Sequence, residues 1–344
     1  MKTKRHAVLC TIILVVQLAL SSCVQKSHVL VYQSGATVWA LAPDQGTNEP
    51  LVKSVNYAAG LSNDLGQVAY STDSYDLWVA NTDGKNARQV MTDQLRKAGL
   101  GIARISWSPG NKRIAVWGTP VESPQSNLER LALYVADLAT NKVQVVATGV
   151  INFAWTRAGN RLVVVREFDP RENPGIYLIA TDDSSSKQLF SGLTEPYIDA
   201  SPASDKIAFV ANKSADVHML TLFALDLSSG GDAVDLLRDS DFPFHSISDP
   251  VWSPDGKQLA FIATIPGESN TAVSTLFVAN PQTYTIKELV KGVRGPLAWS
   301  PTGYVVATTM LSSTQGIYQV NVETGNVQKL TDDELTSSMI FEWR

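Results

Sequence analysis

Short apolar runs alternate along this chain with clusters of Gly, Pro, Asn, Asp and Ser. The clearest runs are Ile114-Ala115-Val116-Trp117, Leu162-Val163-Val164-Val165, Ile207-Ala208-Phe209-Val210 and Leu259-Ala260-Phe261-Ile262. Each is only strand-length, and none alternates apolar with polar. That pattern predicts strands buried on both faces. An aliphatic residue followed by an aromatic one marks a second set of short strands: Val38-Trp39, Leu77-Trp78, Leu133-Tyr134, Ile176-Tyr177, Leu222-Phe223, Leu276-Phe277 and Ile317-Tyr318. Polar turns such as Asn81-Thr82-Asp83-Gly84 and Val322-Glu323-Thr324-Gly325 follow, then a shorter strand (Val143 to Val146, Lys287 to Val290).

These pieces repeat. Trp107-Ser108-Pro109, Trp252-Ser253-Pro254-Asp255-Gly256 and Trp299-Ser300-Pro301 each stand seven positions before an aliphatic residue, and Trp155-Thr156, Ala200-Ser201-Pro202 and Leu61-Ser62 keep the same offset. Ser-Pro-Asp-Gly between two apolar runs is a hairpin turn, in which Pro presets φ and Gly supplies the positive φ that closes it. Units of four antiparallel strands, sandwiched on both faces and recurring every 39–56 residues, predict an all-β propeller. A β-sandwich would put polar residues at alternate positions of most strands. The segment Val29 to Val55 holds three strands without a first one, and Met339-Ile340-Phe341-Glu342-Trp343 is a first strand without the other three. Joined, they make a composite blade from the N-terminal strands and the C-terminal strand, closing a seven-bladed ring. A six-bladed ring with an extra edge hairpin is the alternative.

Ahead of these repeats lies a different kind of segment. Lys2, Lys4 and Arg5 precede a 14-residue apolar stretch from Ala7 to Leu20, broken by Thr11 and Gln17. It is too short to span a bilayer comfortably. Leu20-Ser21-Ser22-Cys23 resembles the bacterial lipobox, which implies a lipoprotein signal peptide over 1–22, acylation of Cys23 (a palmitate-type anchor), a short tether over 23–28, and the propeller over 29–344. Cys10 falls within the leader, so the folded domain holds no cysteine and its stability must come from its core. The resemblance implies an exported protein, lipid-anchored to the cell membrane and, with Val24 after the cysteine, to the outer membrane if the cell is Gram-negative.

The Trp-Ser-Pro-Asp-Gly-Lys repeats look like the WD40-like propeller repeats of TolB-type proteins and of prolyl-oligopeptidase-family enzymes. This similarity covers about residues 29–344. TolB-type proteins carry a separate α/β domain before a six-bladed propeller, and the peptidases carry a hydrolase domain. Neither is expected here, so neither partner contacts nor a catalytic triad carry over. A fold of this kind hosts many activities.

Charge narrows the field. The 28 basic and 33 acidic residues give −5, and removal of the leader takes three basic residues and no acid, leaving −8. A mildly acidic chain without a basic stripe argues against nucleic acid. No nucleophile elbow, P-loop or zinc-protease helix motif occurs. His28, His218 and His245 lack metal-ligand spacing, so no metal and no cofactor are expected. The recurring aromatics read as packing between blades. Function is expected in the variable loops on one face: Thr119 to Arg130, Glu167 to Gly175, Asn212 to His218 and Ile265 to Ser274, with the links Gln94 to Ala103 and Asp239 to Asp249. Phe242, Phe244, His245 and Asp249 make the expected contact patch, with Arg96, Lys97 and Arg104 on the same face. The expected molecule is a monomeric, non-enzymatic binding or scaffold lipoprotein for an envelope protein or polymer. Its rival is a propeller hydrolase or lyase, acting on glycans or peptides through an inter-blade carboxylate site that leaves no local motif.

Overall fold

The computed structural model describes residues 28–333, apart from 54, 56–57, 92, 122–130, 168–172, 215–216, 243, 267–271, 302 and 309–313, and also describes 341–343. The expected leader over 1–22 and Cys23 lie outside these residues. All but one of the described sheets are cut from one continuous stretch of chain. These six blades occupy 59–91, 100–148, 150–191, 194–235, 246–291 and 297–331, numbered here one to six, each with four antiparallel strands in simple up-and-down order. The remaining four-stranded sheet is composite: Phe341–Trp343 pairs with Leu30–Ser34, followed by Thr37–Ala42 and Thr47–Lys53.

The expected count of seven blades is corrected accordingly, to six complete blades in the ring and a closing sheet of a different kind. The three-residue inner strands Ala59–Leu61 and Leu297–Trp299 are buried at every position, whereas Phe341–Trp343 is half-buried at all three. Its pairing covers Leu30↔Trp343, Val31↔Glu342 and Tyr32↔Phe341. The expected strand start at Met339 lies outside the described residues. A second tie holds the closing sheet to the end of blade six. Asn48 Nδ2 donates to Tyr32 Oη (2.7 Å) and Asp333 Oδ2 (3.0 Å), and the Tyr32 hydroxyl donates to the same carboxylate.

Both-face burial explains the ring. Ile114 and Val116 pack against blade one, while Ala115 between them packs against blade three. In blade three, Val163 and Val165 face blade four and Val164 faces blade two. Each gap between neighbouring sheets holds its own apolar cluster, the last joining Ala298 and Ile317 of blade six to Leu30, Tyr32 and Leu41 of the closing sheet. Burying such side chains contributes roughly 1.5–3 kcal/mol each.

The repeated motifs have separate physical jobs. Trp107 Nε1 donates to Gly60 O (2.9 Å), Trp155 Nε1 to Ser106 O (3.2 Å) and Trp299 Nε1 to Val251 O (2.9 Å). Each indole thus bonds the inner strand of the preceding blade. The Ser or Thr that follows is buried and closes the hairpin, as where Ser108 Oγ accepts Arg113 N (3.0 Å) and Ser253 Oγ accepts Gln258 N (2.9 Å). The aliphatic–aromatic pair marks a bulge. The pairing of third and fourth strands slips one residue between Leu77 and Trp78, Leu133 and Tyr134, Ile176 and Tyr177, and Leu276 and Phe277. Among the described residues no helix is long and apolar enough to cross a membrane.

Candidate functional site in the central channel

The inner strands of the six blades and of the closing sheet border a cavity of about 580 Å³. The residue types that face it follow from strand geometry. Side chains alternate along a strand, so positions one and three before the Trp of a Trp-Ser-Pro position, or before its equivalent in the other blades, share the face opposite to it. One step back stand Gly60, Ser106, Ala154, Asp199 and Glu342; three steps back stand Arg104, Asn152, Tyr197, Asp249 and Pro296, and all ten line the cavity. Four of these inner strands slip register beside the second group, between Ile102 and Arg104, Val150 and Asn152, Thr194 and Ile198, and Ser248 and Val251. Bulges of this kind re-aim side chains.

Arg104, from blade two, is half-buried. Its Nη1 donates to Asn152 Oδ1 (2.7 Å) and Phe153 O (3.4 Å), and its guanidinium lies 4.7 Å from the Phe153 ring centroid. Burial draws its pKa below the usual arginine value, against the opposing attraction of Glu342 and Asp199. Asp199, from blade four, accepts Trp252 N (2.8 Å) on Oδ2. Burial pushes its carboxyl up to about 6, while that hydrogen bond, the Ala200 amide and Arg104 act in the other direction.

Asp249 stands in blade five at φ +50°. Burial raises its pKa, opposed by a hydrogen bond with Ser248. Tyr197 is raised by burial first, then by the charges of Asp249 and Glu195. Taking an unpaired charge out of water is costly, so this ring holds one cation and several carboxylates in a place where any charged ligand would be felt strongly. Among the described residues, no three His, Cys, Asp or Glu side chains converge to hold a metal ion.

The expected contact patch is divided by the structure. Arg104 and Asp249 both line the channel, from blades two and five. Arg96 and Lys97 lie outside it, exposed on a five-residue helix, Gln94–Ala98, that replaces part of the expected link loop. Arg96 pairs with Asp73 (3.0 Å) and sits 4.5 Å from the Tyr75 ring centroid. Phe242 and Phe244 are not the free surface anchors expected from sequence. They are half-buried and packed on the cluster between blades four and five, with centroids 5.0 and 5.3 Å from the fully buried Phe277. His245 is exposed, and its amide donates to Thr264 O (2.8 Å).

Of the variable loops, Asn212 to His218 is largely hairpin, with strands Lys206–Ser214 and Val217–Asp226. Much of the Thr119 to Arg130, Glu167 to Gly175 and Ile265 to Ser274 loops lies outside the described residues. Sequence reasoning missed Asp199, Glu342, Asn152 and Tyr197. Counting back by one and by three from Trp155, Ala200 and Trp343, which stand where the Trp of Trp-Ser-Pro stands in other blades, finds them.

No family model and no curated protein sequence matches the chain. Solved structures do. TolB from Acinetobacter baumannii is 18% identical at a TM-score of 0.51, over 92% of this chain and 82% of that one. Oligogalacturonate lyase from Vibrio parahaemolyticus is 14% identical at 0.55, over 88% and 79%. The β-propeller domain of the Trilobed protease from Pyrococcus furiosus, described as an open velcro topology, is 14% identical at 0.54, over 91% and 100%. The fold they share with this chain is a β-propeller, of the kind found in TolB.

Proposed function

We propose that this chain is a non-enzymatic binding propeller of the cell envelope, whose recognition site is the central channel at the level of Arg104 and Asp249. The observation that carries the reading is the gathering of Arg104, Asp199, Asp249 and Glu342 around one cavity. Its volume falls within the roughly 300–1,000 Å³ typical of ligand sites. A polar segment of an envelope protein or polymer enters there. The lipobox-like Leu20-Ser21-Ser22-Cys23 supports export and anchoring through lipid on Cys23, which mass spectrometry of the N-terminal peptide from a membrane fraction tests directly.

For the binding role, the test is crosslinked capture from detergent-solubilised envelope. Arg104→Ala and Asp249→Ala variants that melt like the parent should lose the captured partner. Unchanged capture by both would remove the channel as the recognition site.

A second reading, carboxylate catalysis on glycans or peptides, has one observation in its favour. Asp199, with a pKa near 6, is of the kind that serves as a general acid near neutrality. Cleavage of an oligosaccharide or peptide pool that disappears in Asp199→Asn would establish it.

A further inference from the structure

Arg104 and Asp249 occupy the same level of the channel, each three positions before the Trp of its own inner strand, one in blade two and the other in blade five. Three steps is halfway round a ring of six blades, so the cation and the anion come from opposite sides of it. The residues between them at this level, Asn152 and Tyr197 on one side and Pro296 on the other, are uncharged. The level is polarised across the axis.

Both charges retain capacity for a ligand. Among the described residues Arg104 donates only through Nη1, to Asn152 Oδ1 and Phe153 O. A guanidinium has five N–H donors in a fixed fork suited to a carboxylate. Asp249 lines the cavity and has no ion pair among the described residues. Its carboxylate occupies the space that a Cβ on Gly295 would fill, 2.5 Å from its Cγ. Tyr197 lines the cavity at the same level. Charge complementarity of this kind selects partners and orients them more than it adds raw affinity.

From this opposition we infer that the channel takes a short zwitterionic peptide, with its carboxylate on Arg104 and its ammonium on Asp249. The inference rests on the channel being the recognition site and adds the chemical class and orientation of what enters.

Trialanine, N-acetyl-trialanine and trialanine amide are suitable probes in isothermal titration calorimetry with the intact mature chain. Trialanine is expected to bind, and capping either end to weaken it at least tenfold. Asp249→Asn should erase the difference between trialanine and its acetylated form while keeping the difference from the amide, and Arg104→Gln should do the reverse. Equal affinity for the three peptides, or no heat with trialanine at millimolar concentration, overturns the inference. The capped peptides decide it on the unmodified protein even where a variant folds poorly. If trialanine fails while Arg104→Ala and Asp249→Ala still lose envelope capture, the channel remains the recognition site and only the ligand class falls.

Discussion

Gly295 and Asp249 share a space that holds only one side chain: a Cβ on Gly295 would stand 2.5 Å from Asp249 Cγ and 2.6 Å from its Oδ2. The link into blade six therefore leaves the space in which the carboxylate of blade five stands. Gly295→Ala should push the carboxylate out of place, lower channel binding about tenfold or more and cost roughly 1–3 kcal/mol through overpacking. The effects should be coupled. In an Asp249→Ala background the added methyl meets no carboxylate, so the stability cost should largely vanish. Chemical denaturation of the four proteins of this cycle measures the coupling, and additive costs would show that the two residues do not constrain each other.

The indole hydrogen bonds between blades give a second prediction. Trp107 and Trp252 are 5% and 3% exposed, so replacing either by Phe removes a similar apolar area. Trp107 Nε1 bonds Gly60 O, whereas Trp252 Nε1 is buried without a partner among the described residues. Trp107→Phe leaves a buried carbonyl unpaired; Trp252→Phe removes an unpaired donor. Trp107→Phe should therefore be the costlier by about 1 kcal/mol or more. Urea unfolding of both variants decides it, and equal costs would mean that these bonds add little to the ring.

How much of this could be read from the residues depends on whether the cause was local. Blade strands were legible because runs such as Ile114-Ala115-Val116 and Leu162-Val163-Val164-Val165 feed neighbouring clusters on both faces. Trp-Ser-Pro was legible because the hairpin needs those turn residues. The status of the closing sheet was not, since the burial of Phe341–Trp343 depends on packing between two chain ends far apart in sequence. The Asp199–Trp252 bond spans two blades and leaves no sequence mark. Arg104 and Asp249 could be named as candidates, but grouping them with Arg96 and Lys97 failed because a loop position and an inner-strand position look alike until the axis is located. Phe242 and Phe244 misled for a related reason. Aromatics flanking Pro243 suggest a surface patch, yet the cluster between blades four and five has room for both.

That room makes the Phe pair structural, with a measurable consequence. Phe242 and Phe244 stack with centroids 5.7 Å apart, and Phe244 also approaches Phe261 at 6.0 Å. Replacing both with Ser should cost about 2–4 kcal/mol, from lost burial and aromatic pairing at half-buried positions. Leu193→Ser and Met219→Ser, at residues 57% and 53% exposed, should change stability by no more than about 0.5 kcal/mol. Thermal melts compare them. A double Phe variant that melts like the parent would return the pair to the surface.

The last expectation concerns pH and Asp199. Its folded pKa of about 6 lies above the usual carboxylate value of 3.8. Between those values the folded protein binds more protons at this site than the unfolded chain, so this contribution to stability falls as pH rises from about 4 to about 6. Above pH 6 the buried charge is a standing cost. The shift corresponds to roughly 3 kcal/mol as an upper figure, reduced by solvent screening because the residue is only half-buried. Asp199→Asn keeps an oxygen to accept Trp252 N but carries no charge. It should therefore stabilise the protein at pH 7 and have little effect at pH 4. Asp249, whose pKa burial also raises, leaves a residual slope in the single variant that Asp199→Asn/Asp249→Asn should remove. Denaturation midpoints at half-unit steps from pH 4 to 7.5 test the assignment. A variant that is destabilised at pH 7, or that shifts the curve equally at every pH, would mean that Asp199 is held ionised in the fold across the whole range.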